Sequence, residues 1–173
     1  IVGRKLSMLG EISGSGGMKT PGGFAITAAG FHYFMNHNQL GDEIERRIRA
    51  ADATDLDELH ALSSSIQSLI MESPLPDEMA AEFAGAAAKY QGSMAVRSSA
   101  LSEDAEGSSF AGLHGSILNV DPENLVPAYK EVVAGLYSLP AMTYRLNRGI
   151  PDSDAVMCVG VLEMIEARSG GVL

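Results

Sequence analysis

The sequence predicts an α+β (α/β mixed) domain with helices packed beside a mixed sheet. Segments with apolar residues at helical spacing alternate along the chain with short strand-like runs. The run at 154–165, DAVMCVGVLEMI, is rich in valine and apolar on both faces, which is typical of a central strand. With 173 residues and 46% apolar content, the chain can bury one sizeable core. We therefore expect one domain over residues 1–173.

Two helices are predicted in the first part of the chain. The first has leucine and isoleucine at a spacing of three, at Leu6, Leu9 and Ile12, and ends in the glycine-rich stretch 13–17. A short strand at Phe24–Thr27 follows it. The second helix is marked by three apolar residues: Phe31, Phe34 and Met35.

The next charged run, GDEIERRIRAAD at 41–52, is interpreted as a solvated helix face. Residues four apart on a helix are neighbours, so we expect Asp42 to pair with Arg46 and Glu43 with Arg47.

The clearest helix is predicted to open at Thr54, with Asp57 at the distance of a capping box. Its apolar stripe consists of Leu56, Leu59, Leu62, Ile66, Leu69 and Ile70. Pro74 and Pro76 end this helix, and Pro76 also suits the first turn of the next one, where a missing amide needs no partner. The buried face of that next helix is expected to contain Met79, Phe83 and Tyr90.

The second half of the chain supplies the remaining strands. SMAVRS at 93–98 and GSILNV at 115–120 are predicted strands that flank an irregular loop. Asp121 and Pro122 start a helix whose apolar face is Leu125, Tyr129, Val132, Val133 and Leu136. The single cysteine, Cys158, lies in the valine-rich strand and is predicted to be an inert core thiol, which fits a reducing cytoplasm.

Charge and hydropathy exclude several classes of partner. The net charge is −10, which argues against nucleic acid and anionic membranes, because their binding relies on clustered lysine and arginine. No apolar run reaches the roughly 18 residues needed to span a bilayer, and the first residues lack the features of a secretory signal. Because the chain begins with Ile1 and stops at Leu173, where an apolar run starts again after a Gly-Gly turn, we expect it to be a segment of a longer polypeptide. The single cysteine favours a cytoplasmic location for that polypeptide.

The stretch VRSSALSED at 96–104 predicts an anion site. Arg97 stands at the expected end of an apolar strand and is followed by small hydroxyl residues, and arginine at such a place usually faces an anion. The loop SSFAGLHGS at 108–116 suits an anionic ligand that is covered by backbone amides. We interpret Glu103 and Asp104 as residues that orient Arg97 or cap the loop, in preference to magnesium ligands.

Two other features are given structural interpretations. The run SGSGGMK at 13–19 lacks the GK[ST] ending of a P-loop, so it is interpreted as a linker that ends a helix. Four histidines are expected to be solvated or structural, with a ligand contact kept open for the last of them: His32, His37, His60 and His114.

The motifs of the chain resemble, in order and spacing, those of the ATP-binding domain in the phosphoenolpyruvate synthase and pyruvate phosphate dikinase family. The segments VGRKLSMLGEI, TPGGFAIT, VRSSALSED with SFAG, and VGVLEMIEARSGGVL are similar to the family's VGGKxxxLGE, PPGFAIT, VRSSAxxED with SFAGQ, and a strand ending in QxMVxxxxSGVMF. The third of these is the most specific. Such domains have an ATP-grasp fold, so the resemblance implies that residues 1–173 form the first half of one.

The resemblance also implies which residues bind ATP. Arg97, with Ser98 beside it, is implied to contact the transferring phosphates as the catalytic residue. Lys5 matches the lysine of the GGK motif, and Ser116 stands where relatives often have threonine, so both are implied to bind phosphate oxygens. A covering loop is implied for Phe110, Ala111 and Gly112, and an adenine contact for Glu163, Met164 and Ile165.

The sequence departs from the family pattern at several positions. Arg4 replaces a glycine, Gly22 replaces a proline, LHGS at 113–116 stands where relatives show QQET or QQDT, and Pro140 falls where many relatives have arginine. The metal-binding acids and the phosphohistidine of the family lie in segments that this sequence does not contain. We therefore expect ATP with Mg²⁺ whose ligands lie outside residues 1–173.

Two classes of function follow from the resemblance. The first is an ATP-dependent phosphotransferase that passes a phosphoryl group through a phosphohistidine on a downstream domain to pyruvate, with rifamycin or glucan as the acceptor in related enzymes. The second is a degenerate module that binds nucleotide or a partner protein without phosphoryl transfer, which the altered LHGS loop favours. We expect the isolated chain to be inactive, and we expect the strand start near Leu173 to allow a homodimer.

Overall fold

The computed structural model describes residues 1–14, 19–52, 55–101 and 115–166. Its strands form one four-stranded sheet in the order β1-β4-β2-β3. Their bounds are β1 Gly23–Ile26, β2 Met94–Ala100, β3 Ser116–Val120 and β4 Met157–Glu163. Helices pack beside this sheet, which confirms the α+β class. All three strand pairings are antiparallel, so the sheet is antiparallel where a mixed sheet was expected.

The helices account for most of the remaining described residues. Their bounds are α1 Arg4–Gly14, α2 Ala28–His37, α3 Leu40–Ala50, α4 Leu56–Glu72, α5 Asp77–Ala87, α6 Leu125–Ala134 and α7 Leu139–Arg148. The sequence analysis did not predict α7. Its signals were present: Ser138 accepts a hydrogen bond from the Ala141 amide, Pro140 occupies the first turn, and Gly149 ends the helix at φ 62°.

The start of α4 differs from the prediction by two residues. The helix begins at Leu56, and Asp55 caps it by accepting hydrogen bonds from the amides of Asp57 at 2.8 Å and Glu58 at 3.2 Å. Leu56 was expected on the apolar stripe but is 67% exposed, because it lies at the solvent end of the helix. The rest of the stripe is buried or partly buried, which confirms the packing face.

The pairing in α3 centres on Glu43. Its carboxylate accepts from Arg46 and from Arg47, each at 2.7 Å, so Arg46 pairs with Glu43 and not with Asp42 as predicted. The hydrogen bonds from Arg46, and then the one from Arg47, lower the pKa of Glu43 to about 2. The helix is not solvated all round, since Leu40 and Ile44 are buried on its inner face.

The core lies between the helices and one face of the sheet. Apolar residues of α2 to α7 form one continuous cluster with Val96 of β2 and with Val159 and Val161 of β4. Strand β4 is buried from Met157 to Val161, as expected of a central strand, and the Cys158 thiol is buried within it. The opposite face of the sheet carries α1. Among the described residues, no helix is both long and apolar enough to cross a bilayer.

A buried polar network anchors α7 to this core. Arg145 is 5% exposed, and its guanidinium donates to the Leu136 carbonyl and to Asp152 at 3.0 Å. The Tyr137 hydroxyl donates to the same carboxylate at 3.1 Å, and its ring lies below Arg145. Burial, followed by the charge of Asp152, raises the pKa of Tyr137. The buried arginine therefore has charged, hydrogen-bonded and aromatic partners.

Candidate functional site

A cleft of about 740 Å³ lies on the face of the sheet that carries α1. Residues from α1, β2, β3, the end of β4 and the segment before β1 line it. The cleft brings together all the described residues that the sequence analysis assigned to ATP: Lys5, Arg97, Ser98, Ser116, Glu163, Met164 and Ile165. The assigned loop residues Phe110, Ala111 and Gly112 lie outside the described residues, as do Glu103, Asp104 and His114.

Arg97 is the only exposed position of β2, and the other six residues of that strand are buried. It pairs with Gly160 of β4 on one side and with Ser116 of β3 on the other. The expectation that Arg97 ends the strand is wrong, because Ser98, Ser99 and Ala100 continue the pairing with β4. The guanidinium thus leaves the middle of the sheet, where the backbone around it is held on both sides.

Helix α1 lies close to the sheet because glycines leave room for it. A Cβ atom on Gly3 would come within 2.2 Å of the Ser99 Oγ and 2.6 Å of the Ser99 carbonyl oxygen. A Cβ atom on Gly160 would come within 2.3 Å of Cδ2 of Leu6. This close approach brings Lys5, in the first turn of α1, to the same cleft as Arg97. Two cationic side chains from different elements therefore line one cavity.

The opposite end of the cleft is fixed by Glu163. Its carboxylate accepts a hydrogen bond from the Gly22 amide at 3.1 Å, and its own amide donates to the Gly22 carbonyl at 2.8 Å. The family pattern described above has proline at this position, and proline has no N–H to donate to the carboxylate, whereas Gly22 has one. The Met164 amide donates to the Ser93 carbonyl at 3.3 Å. Hydrogen bonds to two separate segments thus hold the end of β4.

Several apolar residues of the cleft were missed by the sequence analysis. They are Leu6, Leu9, Pro21, Ala95, Leu118 and Leu162. Side chains in a strand alternate between faces, so the positions two residues from Arg97 and Ser116 were predictable as Ala95 and Leu118. Leu162 required knowledge of the pairing of β4 with β2, which places it opposite Ala95.

The described lining does not fit a magnesium site. Glu163 is the only carboxylate among the described residues of the cleft, and the Gly22 amide already donates to it. Magnesium requires near-octahedral oxygen coordination, usually with carboxylates and substrate phosphates. Over the ranges that the structure describes, no group of three or more histidine, cysteine, aspartate or glutamate side chains is arranged to hold a metal.

The fold and the cleft define an α+β domain whose cleft combines two cationic side chains with an apolar lining. The chain belongs to the family described as pyruvate phosphate dikinase, AMP/ATP-binding domain, which matches residues 1–173. This membership confirms the resemblance on which the residue assignments rest.

Curated relatives agree with the family. Phosphoenolpyruvate synthase of Neisseria meningitidis is 34% identical over 98% of this chain and 23% of its own length. Probable phosphoenolpyruvate synthase of Staphylothermus marinus is 36% identical over 100% of the chain and 22% of its own length. Rifampicin phosphotransferase of a Streptomyces species is 34% identical over 99% of the chain and 20% of its own length. The chain thus spans about a fifth of the length of these relatives.

Proposed function

We propose that residues 1–173 are the ATP-binding part of a cytoplasmic phosphotransferase that passes a phosphoryl group from ATP, through a phosphohistidine on a downstream domain, to pyruvate, giving phosphoenolpyruvate. The observation that carries this proposal is the convergence of Lys5, Arg97 and Ser116 on one cleft from three different elements. Relatives named phosphoenolpyruvate synthase support pyruvate as the acceptor. In this proposal the fold is the first half of an ATP-grasp domain, and the full protein is a homodimer.

The chemistry of the cations supports phosphate at their end of the cleft. Arginine has a planar guanidinium that binds two phosphate oxygens at once, whereas lysine supplies a compact charge that acts from another direction. During phosphoryl transfer the charge on the phosphate oxygens changes, and fixed cations lower the barrier by stabilising that charge. Arg97 is suited to this because its strand is paired on both sides. Ser116 adds a hydroxyl donor from the neighbouring strand.

The opposite end of the cleft suits a purine base. Leu118, Leu162 and Ile165 offer apolar contact for the faces of a ring. The amide of Met164 is already bonded to Ser93, so we assign the base contact at this residue to its carbonyl oxygen. The covering loop, Phe110 to Gly112, is assigned by family resemblance alone. The magnesium ions that accompany ATP are proposed to be held by acids outside residues 1–173.

A second acceptor is supported by a specific finding. Rifampicin phosphotransferases of a Streptomyces species and of Bacillus cereus match 99% and 100% of the chain, at 34% and 28% identity. The ATP-binding part is therefore similar in proteins named for different acceptors, and the acceptor is chosen elsewhere in the polypeptide. A module that binds nucleotide without transfer is the third candidate, and the altered LHGS loop supports it.

Product analysis on the full-length protein tests the proposal. The protein is incubated with ATP and Mg²⁺, with pyruvate in one sample and rifampicin in another, and products are followed by ³¹P NMR. Phosphoenolpyruvate in the first sample is the expected result. A phosphorylated rifampicin and no phosphoenolpyruvate would instead identify the second acceptor. ATP binding without either product would identify the non-catalytic module.

A further inference from the structure

A second cavity lies on the helix side of β1, away from the phosphate-binding cleft. It measures about 520 Å³, is open to solvent on one side, and is lined by residues of β1, α2 and α5. It shares no lining residue with the cleft. Its volume falls in the range of small-molecule sites, roughly 300 to 1,000 Å³. The proposed ATP chemistry uses none of its side chains.

The floor of this cavity is apolar and partly aromatic. Phe24 and Ile26 of β1 face Met79 and Phe83 of α5, and Tyr33 of α2 stands at the rim with 43% exposure. Met79 and Phe83 are almost fully buried, so the inner wall is fixed by packing against the core. Such walls hold an apolar body, and aromatic faces also attract a cation.

Two carboxylates, Glu78 and Glu82, complete the lining. They stand four residues apart on α5, where like charges destabilise a helix. Glu78 lies in the first turn and is favoured there by the helix dipole, but Glu82 is one turn further on and has no such compensation. Neither has an ion-pair partner among the described residues, and the described lining contains no lysine, arginine or histidine. The cavity is therefore anionic at its mouth.

The Tyr33 hydroxyl bridges the aromatic and acidic parts of the lining. It donates to Oε2 of Glu78 at 3.1 Å. The pKa of Tyr33 is raised by this hydrogen bond first, and also by the charges of Glu78 and Glu82. Both carboxylates thus act on the same point of the rim.

We propose that the cavity binds a small organic cation, an ammonium group attached to an aromatic or branched apolar body. The body would occupy the floor formed by Phe24, Met79 and Phe83, and the ammonium would bind between Glu78 and Glu82 beside the Tyr33 ring. A bare metal ion fits poorly, because two carboxylates beside apolar walls supply few of the oxygen ligands that a metal needs. An anion is excluded by the two charges. The site is separate from the cleft and is not an ATP subsite.

Titrations with three matched compounds test the proposal in the full-length protein. Phenethylammonium carries the charge, 2-phenylethanol lacks it, and 3-phenylpropionate reverses it. With methyl-labelled methionine, the Met79 signal reports on the cavity and the Met164 signal reports on the cleft. We expect the ammonium compound to shift Met79 saturably and leave Met164 unchanged. The alcohol should bind at least about tenfold more weakly, since it forms no charge-assisted hydrogen bond.

Glutamine variants distinguish binding in the cavity from general attraction to the acidic surface of the protein. E78Q/E82Q should weaken the ammonium compound at least about tenfold, whereas E123Q/E131Q, which removes two exposed carboxylates outside the cavity, should leave its binding unchanged. E82Q alone relieves the like-charge pair, so it should fold as well as the parent and still weaken binding. Equal binding of the alcohol, an unmoved Met79 signal, or undiminished binding by folded E82Q and E78Q/E82Q would each overturn the proposal.

Discussion

At the scale of single residues, Arg97 carries the proposed catalysis. Arg97→Lys keeps the charge but loses the bidentate fork, so turnover should fall more than ATP affinity. Loss of one charge-stabilising donor of this kind costs about 3 kcal/mol, or roughly a hundredfold in rate. Single-turnover phosphorylation of the proposed downstream histidine, measured together with the melting temperature, checks this. Near-normal phosphorylation in a destabilised variant would indicate that Arg97 only holds the loop, for example through Glu103 or Asp104.

A second prediction at the residue scale concerns Glu43. Arg46 and Arg47 lower its folded-state pKa to about 2 from an ordinary value of 4.5. A lowered folded-state pKa stabilises the fold above the ordinary value, and this contribution disappears as the pH falls from about 4.5 towards 2. NMR titration of the carboxyl carbon should therefore give a midpoint near 2, and E43Q should flatten this part of the stability profile. Because Arg46 is exposed and Glu43 and Arg47 are only partly buried, added salt should weaken the effect. A midpoint near 4.5 would contradict the pairing.

At the scale of elements, the start of α1 can lie against the sheet because Gly3 has no side chain. A methyl group there would meet the Ser99 backbone, so Gly3→Ala must displace the start of α1 and with it Lys5. Because α1 buries none of its residues, the change should cost little thermal stability. ATP binding should weaken about tenfold, which is the cost of losing about one charge-assisted contact. Gly10→Ala is the matched control, because a methyl group at Gly10 meets no atom within 4 Å. Equal ATP affinity in both variants would show that α1 does not position the site.

The element scale also shows what the sequence could predict. The long stripe of α4 and the apolar strand β4 were predictable because their patterns repeat over many residues. Helix α7 was missed although its capping residues were present, because its buried face is short and includes a charged residue, Arg145. The start of α4 differs from the prediction because Thr54 and Asp55 are both suitable cap residues, and Asp55 caps the helix.

For the whole molecule, we predict that residues 1–173 unfold cooperatively in isolation. One continuous cluster joins the helices to the sheet, so most elements share the same buried contacts. The isolated chain should nevertheless be inert as a phosphotransferase, because in the proposed ATP-grasp fold residues 1–173 supply only one half of the nucleotide clamp that positions the reactants. A calorimetric melt and an ATP turnover assay check the two statements. A broad, non-cooperative melt, or turnover above that of a denatured control, would contradict them.

The sequence did not predict the strand directions of the sheet, and it predicted only part of the lining of the cleft. Strand direction could not be predicted, because the connection between β2 and β4 includes β3 and two helices and permits either direction. Arg97 was predicted to face an anion from its own stretch of sequence, whereas Lys5 and Ser116 were found through family motifs. The apolar floor depends on the register between strands, which no local pattern encodes, and only Ala95 and Leu118 follow from alternation.

The central claim is that the cleft binds the polyphosphate of ATP at Lys5 and Arg97 and the base at the end of β4. A crystal structure of the full-length protein with a non-hydrolysable ATP analogue tests it most directly. We predict phosphate oxygens within hydrogen-bonding distance of the Arg97 guanidinium and the Lys5 ammonium, with the base beside Met164 and Ile165. An analogue bound elsewhere, or bound in the cleft with its phosphates at Glu163 and its base beside Arg97, would contradict the claim.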